Sequence, residues 1–161
     1  MLKGLTLLNP ETGQGKTGPQ WTVGAQVVEV EADLKTYTYR LINASTVIDV
    51  GKLINPSSTR ASITGAMSMG LSLASRDGLV KAQNLRSYKL LHIGQESNYL
   101  VDFVETPDET APFGLGSYSE HGLIGMPAAL SNALSLAFNK EFSTLPLTPE
   151  ALWNTKSEEI I

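Results

Sequence analysis

One carboxylate and one imidazole stand side by side in this 161-residue chain, at Glu120 and His121, directly behind a Gly-rich run. The run reads Ala111-Pro112-Phe113-Gly114-Leu115-Gly116-Ser117-Tyr118-Ser119-Glu120-His121-Gly122-Leu123-Ile124-Gly125-Met126-Pro127. A carboxylate at the end of such a loop is a candidate general base. Glycines at 114, 116, 122 and 125 let the backbone turn sharply and approach a ligand closely. Amides of a loop can converge on an anion, and the N-terminus of the small-residue helix expected over Ala128 to Ala137 favours negative charge. The competing reading is a solvated glutamate ahead of an ordinary helix, since Gly-rich loops are weakly specific. His121 is placed to tune Glu120 or touch a substrate, unless it is a solvated loop residue. His92 reads as structural or exposed.

Composition limits what such a site can be. The length fits one domain with its own core. A hydrophobic fraction of 42% with 17% charged residues fits a globular protein. The net charge of −4 without a basic block argues against nucleic acid and anionic membrane as partners. The chain has no Cys, which excludes a thiolate nucleophile and any Cys-ligated zinc or iron–sulfur cluster held by the chain itself. The opening apolar run is too short for a signal peptide and no run reaches membrane-spanning length. A cytoplasmic protein is therefore expected. Thr12-Gly13-Gln14-Gly15-Lys16-Thr17-Gly18 tempts a phosphate-loop reading, but it lacks the full spacing and no apolar strand precedes it.

The elements that must position the loop follow from periodicity. After an irregular lead-in over 1–20, Trp21 to Ala32 alternates, with Val23, Ala25, Val27 and Glu29 opposite Thr22, Gly24, Gln26, Val28 and Val30. Val27 and Val28 together suggest a strand buried on both faces. Asp33-Leu34-Lys35-Thr36 is a turn, and Tyr37 to Asp49 a second strand, with Tyr37, Tyr39, Leu41 and Asn43 opposite Thr38, Arg40, Ile42 and Ala44. The pair reads as a hairpin. Asn55 and Pro56 open a helix that buries Ile63, Met67, Gly70, Leu71 and Ala74 and stops at Asp77-Gly78. Its Ala, Gly and Ser content requires something packed close, either the sheet or a ligand. Met67 and Met69 read as core filling. An extended segment is expected around Arg86 to Leu91, and a strand over Tyr99 to Glu105. Leu130, Leu134, Ala137 and Phe138 mark a second helix ending at Asn139-Lys140. Phe142 to Leu147 is extended, Thr148-Pro149-Glu150 opens a short helix through Trp153, and the tail from 154 frays. The expected fold is an α+β single domain. A small, mostly antiparallel or mixed sheet is covered on one face by helices near 56–76 and 126–138.

Three segments in order carry a resemblance. They are Val47-Ile48-Asp49-Val50-Gly51-Lys52-Leu53-Ile54-Asn55-Pro56, Val101-Asp102-Phe103-Val104-Glu105-Thr106-Pro107, and Pro112-Phe113-Gly114 through Glu120. Val28-Glu29-Val30-Glu31 and Leu145-Pro146-Leu147-Thr148-Pro149-Glu150 add to them. From about Trp21 to Trp153 the chain resembles the C-terminal part of the molybdenum-binding subunit of the molybdenum hydroxylases, the xanthine dehydrogenase and aldehyde oxidase family. The resemblance implies hydroxylation of an electron-poor carbon, in an N-heterocycle or an aldehyde, with oxygen taken from water. It implies molybdenum on a molybdopterin, often extended by a cytosine nucleotide, and a glutamate as general base. The family's loop of Gly-Ala-Lys/Arg-Gly-Val-Gly-Glu type falls on Gly114-Leu115-Gly116-Ser117-Tyr118-Ser119-Glu120. Glu120 then matches the base, and Gly114, Leu115, Gly116, Ser117, Tyr118 and Ser119 match a cofactor-contacting loop. No residue here is expected to ligate the metal.

The sequence departs from that pattern at definite places. Ser117 and Ser119 replace glycines, Gly116 replaces a Lys or Arg, and Met69 stands where the family has a cofactor-contacting Gln. His121-Gly122 replaces Pro-Pro. The family's subunit is also several times longer. The chain is therefore expected to act only with the remainder of that subunit, an iron–sulfur subunit and usually a flavin (FAD) subunit, the cofactor being held by the complex and not by this chain alone. The departures leave a second reading, a non-catalytic assembly or binding module of the same fold. A third is an unrelated α+β ligand-binding domain whose pocket would lack Glu120. An isolated chain is expected to expose an apolar docking surface and to self-associate.

Overall fold

Two extended runs of β-branched residues, broken by a turn at Asp33, start the fold. A computed structural model describes residues 6–15, 21–77, 84, 88–109 and 111–156. Strands β1 (Gly24–Asp33) and β2 (Thr38–Asp49) pair antiparallel as the expected hairpin. Asp33 Oδ1 closes the turn by accepting from the amides of Lys35 at 2.8 Å and Thr36 at 3.3 Å.

Along β1 the alternation holds. Gln26, Val28 and Val30 turn inward while Ala25, Val27 and Glu29 face out. Coverage on both faces does not hold, because Val28 is 6% exposed and Val27 64%. In β2 the alternation breaks. Glu29 pairs with Asn43 but Val30 with Leu41, which makes Ile42 the extra residue of a β-bulge. Leu41 faces the core before the bulge, and Ala44, Thr46 and Ile48 face it afterwards. Asn43 therefore does not share a face with Leu41 as unbroken alternation predicts.

Strand β3 (Asn98–Val104) joins β2 in parallel, so the sheet is mixed in the order β1-β2-β3. A parallel neighbour needs a crossover, and helix α1 (Pro56–Ser75) lies on it. Asn55 Oδ1 caps α1 by accepting from Ser58 N at 3.0 Å. The periodic residues Ile63, Met67, Gly70, Leu71 and Ala74 are all buried. Met67 is core, whereas Met69 is 58% exposed. The helix ends where Arg76 and Asp77 both donate to Ser72 O. Gly78 of the expected stop lies outside the described residues, as do Arg86 and Ser87 of the expected extended segment; Tyr88 to Leu91 forms no strand.

Three further α-helices follow among the described residues: α2 (His121–Ile124), α3 (Met126–Phe138) and α4 (Pro149–Asn154). The single turn of α2 shortens the expected loop. α3 buries Met126, Leu130 and Leu134 and stops at Asn139, whose left-handed φ of 50° ends the helix. Phe142 to Leu147 runs without regular structure, and both end residues are buried. Thr148 Oγ1 caps α4, which buries Leu152. One core joins Val28, Ala44, Ile48 and Val101 of the sheet to the inward faces of α1 and α3 and to Leu147 and Leu152. The fold is the expected α+β domain with two main helices on one face of a mixed sheet. No helix among the described residues is long and apolar enough to cross a membrane.

Candidate active site

The loop before Glu120 is held by the turn that leaves β2. Asp49 Oδ1 accepts from Gly51 N at 2.9 Å and from Thr106 N at 3.1 Å, tying the end of β2 to the segment after β3. Burial pushes the Asp49 carboxyl up, but the bonds from Thr106 and Gly51 outweigh it and hold the group below its ordinary value of 3.8. Gly51 sits at φ +66°, and a side chain there would drive into the backbone of Leu115 and Gly116. Gly51 pairs with Leu115 as a bridge, Lys52 N donates to Gly114 O at 2.7 Å, and Gly116 N donates to Val50 O at 2.8 Å. Leu53 N donates to Glu105 Oε2 at 2.9 Å. The segment 47–56 thus meets 101–107 and 112–120, both far from it in sequence, in one knot.

Beyond Gly116 the loop leaves that knot and is gripped by β1 and the residues just ahead of it. Thr22 Oγ1 donates to Ser117 O, and Gln26 Nε2 donates to Gly122 O at 2.8 Å. Tyr118 is half-buried, and its hydroxyl accepts from Thr59 Oγ1 at 3.2 Å. Glu120 lies between these two clamps. It is exposed, precedes α2, and does not cap that helix with its side chain.

The clamps at Thr22 and Gln26 were not singled out by type or motif. The available signal was one polar residue on the face of β1 that buries Val28 and another in phase with it just ahead of the strand. Gly122 is needed for a different closeness: a Cβ there would stand 2.7 Å from Ile63 O of α1. The close neighbour of the Gly-rich stretch at that point is the chain itself.

The loop divides into two halves by its amides. Those of Gly114, Leu115 and Gly116 donate to Ala111 O, Pro112 O and Val50 O. Those of Ser117, Tyr118, Ser119 and Glu120 make no hydrogen bond among the described residues. Four consecutive unengaged donors beside an exposed carboxylate fit a ligand rich in acceptor oxygens, such as a phosphorylated cofactor. Ser117 and Ser119 are exposed on the same run. Among the described residues no group of three or more His, Asp or Glu could hold a metal ion.

His121 faces elsewhere. It lines a cleft of about 320 Å³ between β1 and α3, together with Thr22, Gln26, Thr46 and Asn132; Glu120 does not line it. His121 Nδ1 and Gln26 Oε1 are both buried there without a hydrogen-bond partner among the described residues. His92 is exposed in a turn before β3.

Residues 5–95 match the family model of the molybdopterin cofactor-binding domain, more than half of the chain. The chain is 28% identical over 138 residues to the xanthine dehydrogenase molybdenum-binding subunit of Escherichia coli O157:H7, a match covering 81% of this chain and 18% of that protein. It is 29% identical over 143 residues to the gamma subunit of the 6-hydroxypseudooxynicotine dehydrogenase complex of Paenarthrobacter nicotinovorans, again 81% and 18%. The aldehyde oxidoreductase of Desulfovibrio gigas superposes with a TM-score of 0.87 at 26% identity, over 94% of this chain and 17% of that one. The chain thus spans less than a fifth of the relatives it matches. It belongs to the molybdopterin cofactor-binding domain family, that of the molybdenum-binding subunits of xanthine dehydrogenases and aldehyde oxidoreductases.

Proposed function

We propose that this chain is a C-terminal portion of a molybdenum hydroxylase, with Glu120 as its general base. One observation carries the reading. Glu120 ends a loop pinned at Gly51 and Lys52 on one side and at Gln26 on the other, next to four amides with no partner among the described residues. Of the loop expected to touch the cofactor, the half from Ser117 to Ser119 supplies donors. Gly114, Leu115 and Gly116 fix its path. When bound, a molybdopterin with molybdenum, extended by cytosine or not, supplies a two-electron oxidation that no side chain here can perform. The chain's own part is to present the amides of 117–120 to the cofactor's oxygens and to hold a carboxylate that accepts one proton. The substrate class is an N-heterocycle or an aldehyde. Activity requires the remainder of the molybdenum-binding subunit and an iron–sulfur subunit, usually with a flavin subunit as well.

The test is Glu120→Gln in the assembled enzyme, with molybdenum measured alongside turnover. A general base contributes about 10²–10⁴-fold, so turnover should fall by that much while molybdenum stays bound. Substantial turnover in the loaded variant would refute the assignment and leave the chain a non-catalytic assembly module. Loss of molybdenum together with activity would assign Glu120 to holding the cofactor.

A further inference from the structure

The outer face of the sheet sorts by row. Hydrogen-bond register places Val27, Ser45 and Leu100 in one row and Ala25, Val47 and Asp102 in the next. Val23 and Val104 flank Asp49 in the third, since Asp49 N donates to Val23 O and Asp49 pairs with Val104. Val23, Val27, Val47, Leu100 and Val104 are each between 43% and 70% exposed. The row on the far side is different. Asn43 Nδ2 donates to Glu29 Oε2 at 2.5 Å, and Asn98 Nδ2 donates to Asn43 Oδ1 at 3.3 Å. A polar ladder thus closes an apolar field, and the field lies at the end of the sheet that carries the Asp49 turn. Helices cover the opposite face. A contiguous apolar field rimmed by polar groups marks an interaction surface.

We propose that this field is the seat of the remainder of the molybdenum-binding subunit, which lays an apolar layer over Val23, Val27, Val47, Leu100 and Val104 and stops at the Glu29–Asn43–Asn98 ladder. The occupant follows from length: the matched relatives carry more than four-fifths of their chain outside the segment found here. Two carboxylates lie within the field: Asp49 already accepts from the amides of Gly51 and Thr106, whereas Asp102 makes one bond among the described residues, from its neighbour's amide Phe103 N at 2.9 Å. The covering layer therefore brings a Lys, an Arg or another donor opposite Asp102, because a buried carboxylate without a partner is costly. The inference rests on family membership and not on the role of Glu120.

Labelling of the assembled complex tests it. The chain has no Cys, so Val27→Cys, Leu100→Cys and, as control, Leu34→Cys on the exposed hairpin turn each introduce a unique thiol. Reaction with N-ethylmaleimide is followed by mass spectrometry of this chain's peptides. Val27→Cys and Leu100→Cys should react at least about tenfold more slowly than Leu34→Cys, since a packed layer must open before they react. Equal rates overturn the proposal. Protection that grows with the concentration of this chain alone, and is unchanged by the remainder of the subunit, overturns it in favour of a second copy. Val27→Lys is the second variant: loss of co-purification with an unchanged melting profile supports the proposal, and full assembly refutes it. None of these readouts uses turnover.

Discussion

Asp49 does at the residue scale what the loop needs before any catalysis. One oxygen takes two amides, from Gly51 and Thr106, and so joins the two segments that support the Glu120 loop. Asp49→Ala should cost about 1–2 kcal/mol, the lower end for bonds to a charged acceptor because both amides lie near water. The sign of the pH dependence follows from the lowered folded value. Stability from Asp49 is present above the ordinary carboxyl value of 3.8 and disappears as pH falls through the lower folded one. Thermal melts should show wild type and variant well separated at pH 6 and converging progressively as pH falls below 3.8. A separation that does not shrink would mean that the backbone turn, not the carboxylate, holds the knot. Glu120 was legible from its type and its place behind a Gly-rich run. Thr22 and Gln26 were not, because their partners Ser117 and Gly122 lie 95 and 96 residues away. Side-chain clamps across that distance leave no local pattern.

Elements were legible where one face is buried and the other wet. α1, α3 and the hairpin carry that contrast in their periodicity, and their caps at Asn55, Asn139 and Thr148 are local chemistry. The bulge at Ile42 was not legible, since an extra residue leaves no trace in composition while it moves Asn43 off the core face. Close packing of elements was legible only as a demand: the small residues of α1 required a neighbour without naming it. The structure names α2 and α3. A Cβ on Gly70 would stand 2.6 Å from Leu123 O, and one on Gly122 2.7 Å from Ile63 O, whereas one on Gly65 meets nothing within 4 Å. Two substitutions of the same kind should then go in opposite directions. Gly65→Ala adds a good helix former at an open position and should stabilise by about 0.5–1 kcal/mol. Gly122→Ala forces α2 off α1 and should destabilise by about 1–3 kcal/mol. At this length each kcal/mol moves the melting temperature about 2–4 °C. If both variants melt alike, the α1–α2 contact is looser than these distances require.

Viewed as a whole, the molecule has one closed side and one open side. On the closed side the segment from Phe142 to Asn154 straps the hairpin to the end of α1. Leu147 is the pivot: its amide donates to Ala74 O at 2.7 Å, and its carbonyl accepts from the Tyr39 hydroxyl at 2.8 Å. Burial there raises the Tyr39 hydroxyl's pKa well above its ordinary value, so the phenol keeps its proton for that bond throughout the neutral range. Phe138 stacks on Tyr37 with centroids 4.8 Å apart, and Trp153 meets the same ring edge-on at 5.6 Å. On the open side lies the apolar sheet face, which predicts self-association of any sample lacking its cover. The two sides can be separated experimentally, since only the strap belongs to the core. Leu152 is fully buried and is the one buried residue of α4. Leu152→Ala should remove about 2–5 kcal/mol, a drop of about 5–15 °C in melting temperature, with little change in the mass measured by sedimentation at a given concentration. Substitutions on the sheet face should do the reverse, changing mass and not melting. A Leu152→Ala variant that melts within about 2 °C of wild type would show that α4 does not dock in solution. The hairpin would then be held by the α1 and α3 packing alone.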